Sequence, residues 1–300
     1  VDRERAEEAL HVDRLREQFG PGRRLVIIGG GYIGLEAAAV GIKKKLDVTL
    51  VEALPRLLAR VTGPELSQYY DGVHRRHGVD IRLDAAVEAL EGEQEVEFVV
   101  LRDGTRLPAD LVIVGIGLVP NTELAEQAGL EVDNGVIVDL YAQTGDPDIV
   151  AAGDCTNHDN GFLGRRVRLE SVPNASEQAR VAALNMVGQR AVLAGVTQIN
   201  VLDTLGLIST SFSKWYGVPG GQGAQLTEAD GSRHLSLQFS GDVLIGCNSI
   251  GWTEHVGVMR GLVEGGVHLG AWKDKLLQDP TQLMNAYLAC AQAQDVHAHV

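Results

Sequence analysis

A short apolar run, Leu25-Val26-Ile27-Ile28, leads straight into Gly29-Gly30-Gly31-Tyr32-Ile33-Gly34, and the text then turns helical through Leu35 to Val40. Glycines 29, 31 and 34 make a G-x-G-x-x-G. The first closes a tight turn, the second lets backbone meet a pyrophosphate, and the third lets helix and strand pack closely. The anion then rests on the helix N-terminus, where unpaired N–H groups and the helix dipole favour negative charge. Because the bare motif is weak, its surroundings decide. A second strand, DVTLVE, ends in Glu52, 18 residues after Gly34 (52 − 34 = 18), close to the roughly 20 expected for a ribose-binding acid. That carboxylate would accept hydrogen bonds from an adenosine ribose and repel a 2′-phosphate, favouring NAD(H) over NADP(H). Gly29, Gly31, Gly34 and Glu52 are therefore assigned to the dinucleotide, with Tyr32 and Ile33 at the variable positions of the motif. Glu36, in the first turns of the same helix, reads equally as dipole compensation or as a nicotinamide contact. Arg56 and Arg60 read as a solvated face or as phosphate aids.

From Arg24 onward strands and helices alternate: LVII, YIGLEAAAVGIKKK, DVTLVE, PELSQYYDGVHRRHG and VDIRL. This βαβαβ order predicts a parallel sheet with helices on both faces. VEFVVL and LVIVGI read as further strands, the former in a hairpin turning at Asp103-Gly104. A helix is expected from about Asn174 to Val187, then short strands, then helices at 254–264 and 280–293. Residues 3–19 read as a lead-in helix ended by GPG. Glycine supplies 36 of 300 residues, or 12%, against an average of about 7%, which points to several tight turns.

The charge balance of 26 Lys plus Arg against 40 Asp plus Glu gives −14, which repels phosphate backbones and anionic lipid. Nucleic acid and membrane are not expected as partners. Cys155, Cys247 and Cys290 stand far apart without a C-x-x-C pair, so no disulfide framework or metal cluster is expected, and a reducing, cytoplasmic setting is the default. His74 and His77, in HRRH, read as a solvated helix face beside two arginines. The chain opens without an initiator Met or signal-peptide pattern and reads as a piece of something longer.

Longer strings add to this. GGGYIGLE, VEALPRLLARVTGPELSQYY with HGVDIRL, VIVGIGLVPNTELAE, DIVAAGDC and VRLESVPNASEQARVAALN resemble the NADH-dependent ferredoxin reductases of the putidaredoxin and rhodocoxin reductase type, flavoproteins related to glutathione reductase. The resemblance runs from about residue 14 to residue 188. It implies an α/β protein with a Rossmann-like parallel sheet as NAD domain, a partial FAD domain and a C-terminal α+β interface domain. The corresponding boundaries are 1–22 for a lead-in, 23–121 for the NAD domain, 122–195 for the returning part of the FAD domain and 196–300 for the interface domain. The family's first, FAD-binding glycine motif would lie before Val1, and its absence here leaves an alternative: a non-catalytic NAD-binding or interaction module without flavin.

By the same resemblance Gly115, Gly117 and Asn121, in GIGLVPN, border the nicotinamide where one domain hands over to the other. Asp154, after what reads as a buried strand, would contact the flavin's sugar-like chain, or else cap a turn. Glu170, Ser171 and Val172 precede a helix whose N-terminus would face the reduced flavin's anionic edge. Hydride would pass from nicotinamide to flavin and electrons then leave singly to a ferredoxin or rubredoxin. Aligning two rings needs no evident acid or base, so no catalytic residue and no metal ligand is assigned. Arg165, Arg166 and Arg168 either steer an acidic iron–sulfur carrier or pair with local carboxylates. Beyond residue 190 the text departs from the putidaredoxin reductase type, lacking its tryptophan-rich string, and is more similar to rubredoxin reductases and NADH-dependent nitrite reductase flavin modules. Trp215, Trp252 and Trp272 read by default as core. A homodimer stays open.

Overall fold

A computed structural model describes residues 16–228 and 233–297; most of the expected lead-in helix lies outside the described residues. The chain divides into two compact units, one of residues 1–117 with 202–209, the other of 118–201 with 210–300.

The first unit is built on β1 (Arg24–Ile28), α1 (Tyr32–Lys43), β2 (Asp47–Val51), α2 (Pro64–Arg76) and β3 (Asp80–Arg82), followed by β4 (Val87–Glu91), β5 (Phe98–Leu101), β6 (Arg106–Pro108) and β7 (Leu111–Val114). Strands β3, β2, β1 and β7 form a parallel sheet in that order, with Ile27 level with Leu50 on one side and Ile113 on the other. β1 is buried on both faces. Leu25 and Ile27 pack with Leu35 and Ala38 of α1 and Tyr70 of α2, while Val26 packs with Val99, Leu101 and Leu107. Fully burying side chains of this size contributes roughly 1.5–3 kcal/mol each. The second face therefore carries the antiparallel β4-β5-β6 sheet and not the helix expected there. Residues 87–108 fold as short paired strands with the turn after Leu101, as the Asp103-Gly104 signal predicts, and present Val99, Leu101 and Leu107 to β1 at alternating positions.

Small residues set how closely α1 lies on the sheet. A Cβ on Gly41 would fall 2.8 Å from Val48 and 3.0 Å from Leu25. The helix ends in its lysine run, with Lys43 in the last turn and Lys45 at φ +61°. At the sheet's opposite edge from the glycine loop, the Arg24 backbone N–H and Nε donate to Asp110 Oδ2 at 2.8 and 3.0 Å. These hydrogen bonds hold the Asp110 carboxyl down at about 2.

In the second unit β8 (Val136–Ile137), β9 (Thr156–Asn160) and β10 (Arg165–Val167) form a mixed sheet in the order β10-β9-β8. A short α3 (Glu123–Gln127) precedes it and α4 (Val172–Met186) follows. Then come β11 (Ile199–Thr204), β12 (Leu207–Ser213), β13 (Gln222–Thr227), β14 (His234–Ser240) and β15 (Val243–Ile250), in a five-stranded sheet ordered β11-β12-β15-β14-β13. The hairpin tip Leu202–Ser209 counts with the first unit. Helices α5 (Val256–Glu264), α6 (Ala271–Gln278) and α7 (Leu283–His297) close the chain, α6 being an addition to the two helices expected. Met259, Leu262, Leu276 and Leu283 pack on Phe212, Leu237, Phe239 and Leu244, with Trp252 and Trp272 partly buried against them. The glycines at 217, 220 and 221 form a turn that leads into β13. No helix among the described residues is long and apolar enough to cross a membrane.

His74 corrects a reading of the HRRH string. It is fully buried and faces α1, while Arg75, Arg76 and His77 are exposed. Burial pushes His74 below the ordinary 6.5, and burial followed by the nearby Arg166 does the same to His158. The folded protein thus binds fewer protons than the unfolded chain once pH drops to about 6.5 and below, so both groups erode stability as pH falls through that value. Urea midpoints measured at pH 7.5 and 5.5 should be lower at 5.5; equal midpoints would contradict the buried neutral state.

Candidate functional site

Three backbones converge where β1 meets α1. The Gly29 N–H donates to Val51 O at 2.8 Å and the Gly115 N–H to Ile28 O at 2.8 Å, which seats the loop between β2 and β7. Gly29 has φ +110°, and a Cβ there would lie 2.4 Å from Gly115 O. A Cβ on Gly34 would lie 1.9 Å from Gly29 O. Both glycines are therefore demanded by the fold itself. Gly31 differs: its φ of −84° suits any residue, and a Cβ would meet nothing within 4 Å. Its position is the N-cap of α1, which has no side-chain cap and no acidic residue in its first turn. The helix thus begins at a residue without a side chain, with open space where a Cβ would stand, so that an anion can be brought against backbone there.

Glu52 lies at the end of β2, half-buried under that loop. Its Oε2 accepts from the Gly30 N–H at 2.6 Å and its Oε1 from the Leu54 N–H at 2.8 Å. Each oxygen retains a lone pair, enough to take a pair of ribose hydroxyls. Gly30, which the motif treats as variable, is also constrained, since a Cβ would come 2.7 Å from Leu57 and 3.1 Å from the Glu52 carboxylate. The Arg56 guanidinium is engaged within its own loop, donating to Thr62 O and Ala59 O, both at 2.8 Å, while Arg60 faces solvent.

Around this cradle Tyr32 is half-buried against the core, whereas Ile33 and Ile116 are 65% and 66% exposed and Val114 is 55% exposed. Gly115 touches this apolar rim, a Cβ on it lying 3.7 Å from Ile33. Gly117, at φ +114°, ends the first unit with open space around it. Glu36 is exposed on α1 beyond its first turn. Asn121 is exposed and belongs to the second unit.

The remaining candidates gather at the N-terminus of α4. Residues 148–153 form no strand, only a bridge between Gln143 and Val150, so Asp154 sits exposed in a turn before β9. That turn is held from α4, where Gln178 Oε1 accepts from the Gly153 N–H and the Thr156 hydroxyl, both at 2.7 Å, and Gln178 Nε2 lies 2.9 Å from His158 Nδ1. Gln178 escaped the sequence reading. Its signal was positional, since it lies four residues after Asn174, one helical turn further on the same face, and both are buried. Ser171 caps α4 by accepting from the Asn174 N–H, Glu170 pairs with Arg168, and Val172 is 79% exposed at the helix entrance. Arg166 pairs with Asp159 at 3.2 Å and donates to Asn157 O at 2.8 Å. Local pairing thus accounts for Arg166 and Arg168, and Arg165 remains exposed. Among the described residues no three His, Cys, Asp or Glu side chains are grouped to hold a metal ion.

Comparison with known proteins agrees with this geometry. Residues 4–179 match the pyridine nucleotide-disulphide oxidoreductase family. The chain is 52% identical over 178 residues to putidaredoxin reductase of Pseudomonas putida, covering 58% of this chain and 42% of that protein. It is 42% identical over 177 residues to rubredoxin-NAD(+) reductase of the same organism, covering 58% and 46%. The chain thus spans less than half the length of these curated relatives. The crystal structure of a covalent putidaredoxin reductase–putidaredoxin complex superposes with a TM-score of 0.83 at 36% identity, covering 92% of this chain and 66% of that one. With its family match spanning more than half of its residues and its parallel sheet, glycine loop and acid-ended second strand in place, the chain belongs to the pyridine nucleotide-disulphide oxidoreductases.

Proposed function

We propose that this chain is the pyridine-nucleotide part of an NADH-dependent FAD flavoprotein reductase that passes electrons to a ferredoxin- or rubredoxin-type iron–sulfur carrier. The observation that carries the reading is Gly31, a glycine for which the protein's own packing has no use, at an uncapped helix N-terminus beside Glu52. The names of two relatives, a putidaredoxin reductase and a rubredoxin-NAD(+) reductase, support the acceptor class. On this reading residues 23–121 hold NADH, 122–195 return to an FAD domain and 196–300 form an interface domain, in a reducing, cytoplasmic setting suited to three free cysteines.

The α1 N–H groups hold the pyrophosphate and Glu52 accepts the adenosine ribose hydroxyls. Ile33, Ile116 and Val114, with Gly115, exclude water from the nicotinamide side. Asp154 accepts hydrogen bonds from the flavin's sugar-like chain, and the Ser171-capped start of α4 offers N–H groups to its ring edge. When bound, the flavin takes up two electrons and releases them singly, which joins hydride chemistry to one-electron carriers. The protein's share is alignment and electrostatics.

Gly31→Ala should change folding stability by less than about 1 kcal/mol yet weaken NADH binding about tenfold or more, a loss of about 1.4 kcal/mol or more. Gly34→Ala should cost about 3 kcal/mol of stability, since a methyl must displace backbone. A Gly31→Ala protein that binds NADH normally would remove the central support. Glu52→Gln, by losing the repulsion of a 2′-phosphate, should shrink the preference for NADH over NADPH about tenfold in fluorescence titrations, for about 1.4 kcal/mol of discrimination. For the flavin, the purified chain is mixed with FAD, desalted and treated anaerobically with NADH. Retained absorbance that bleaches supports the reductase. A colourless chain that still binds NADH supports instead an NAD-binding module.

A further inference from the structure

The hairpin tip Leu202–Ser209 lies 85 residues beyond Gly117 (202 − 117 = 85), yet it is part of the first unit. Leu205 and Gly206, at φ +52° and +79°, make its turn. Leu202 is fully buried in the core that contains Leu35 of α1 and Tyr70 of α2, and Leu207 packs against the same core. Two polar contacts accompany this. The Tyr70 hydroxyl donates to Ser209 Oγ at 2.5 Å. The Thr204 hydroxyl donates to Leu35 O at 3.4 Å and lies 3.5 Å from His74 Nε2, which is itself 3.2 Å from Leu35 O. His74 Nδ1 lies 2.9 Å from Tyr70 O, and the single N–H of the neutral ring donates to one of these two carbonyls. Leu35 and His74 are wholly buried and Thr204 is 2% exposed, so none of these groups can turn to water.

Leu35 follows directly on Gly34, and its own N–H donates to Gly31 O at 3.1 Å. The carbonyl that His74 and Thr204 crowd therefore belongs to the residue bonded back to the N-cap of α1. We infer that the Leu202–Ser209 hairpin is a clasp for the dinucleotide site, with His74 and Thr204 as positioning residues that fix the first turn of α1 through Leu35. The N–H groups that meet the pyrophosphate are set by a segment outside the βαβ unit that carries them. This inference rests on the NADH reading above and assigns its geometry to residues that no dinucleotide motif contains. Small displacements of groups that orient a ligand cost affinity well out of proportion to their size.

The test compares NADH affinity, by fluorescence titration, with thermal midpoint in five proteins: the unaltered chain, Thr204→Val, Thr204→Ser, His74→Phe and Asp110→Asn. Thr204→Val keeps the shape and removes the hydroxyl; it should raise the NADH Kd about fivefold, and His74→Phe should do at least the same. Thr204→Ser, which restores the hydroxyl, should return the Kd to within about twofold of the unaltered value. Asp110→Asn loosens the far edge of the same sheet and should lower the midpoint with the Kd unchanged, which separates general destabilisation from positioning. If Thr204→Val binds NADH as tightly as the unaltered chain, or if Asp110→Asn weakens binding as much, the clasp is overturned while the dinucleotide reading stands. If the unaltered chain binds no NADH, both are overturned. Should His74→Phe fail to fold, the Thr204 pair decides alone.

Discussion

The structure of the first unit depends on a contact that no side chain permits. Gly34 sits so close to Gly29 O, and Gly29 so close to Gly115 O, that a single Cβ at either place would displace backbone. This crossing joins β1, α1 and β7 at one point and sets the angle at which α1 leaves the sheet. With the angle set, Leu35 and Ala38 drop into the apolar layer over Leu25 and Ile27, and the helix N-terminus is left facing outward with no cap of its own. The helix is held by its buried face, and its N-cap position, Gly31, brings no side-chain cap.

Glu52 shows how one carboxylate serves both sides of this arrangement. By accepting from Gly30 and Leu54 it anchors the glycine loop to β2. Such a carboxylate is a poor candidate for free rotation, since turning it away would abandon two backbone donors. Charge at this position is therefore preorganised, with the ordering cost met on folding and not on binding. In the second unit Gln178 has the corresponding part, one amide holding the Gly153–Asp154 turn, Thr156 and His158 against α4.

Much of this was legible in one dimension. The glycine spacing, the apolar run before it and the acid ending the second strand located the loop and named its residues, because these features are local and their periodicities differ sharply between strand and helix. The hairpin at Asp103-Gly104 was legible for the same reason. What failed were readings that depended on what lies opposite an element. His74 opens the HRRH string next to two arginines, yet its own position on α2 points inward to Leu35. For Arg56, Arg166 and Arg168 the text left two readings open, and only the structure shows nearby carbonyls or carboxylates engaging them. The second face of the sheet went to paired strands in place of a helix, and α6 was not anticipated.

The sequence by itself determined that a strand, a glycine turn and a helix would meet in a nucleotide-type loop with an acid on the neighbouring strand, since these follow from steric limits and spacing within some thirty residues. Tertiary structure alone decided which glycines the fold itself demands and which one, Gly31, it does not. It also decided that Leu202 to Ser209 would complete the unit containing α1. The physical reason is distance along the chain: a carbonyl at residue 35 and a hydroxyl at residue 204 become neighbours only when burial of Leu202, Leu207 and Tyr70 in one core brings them together.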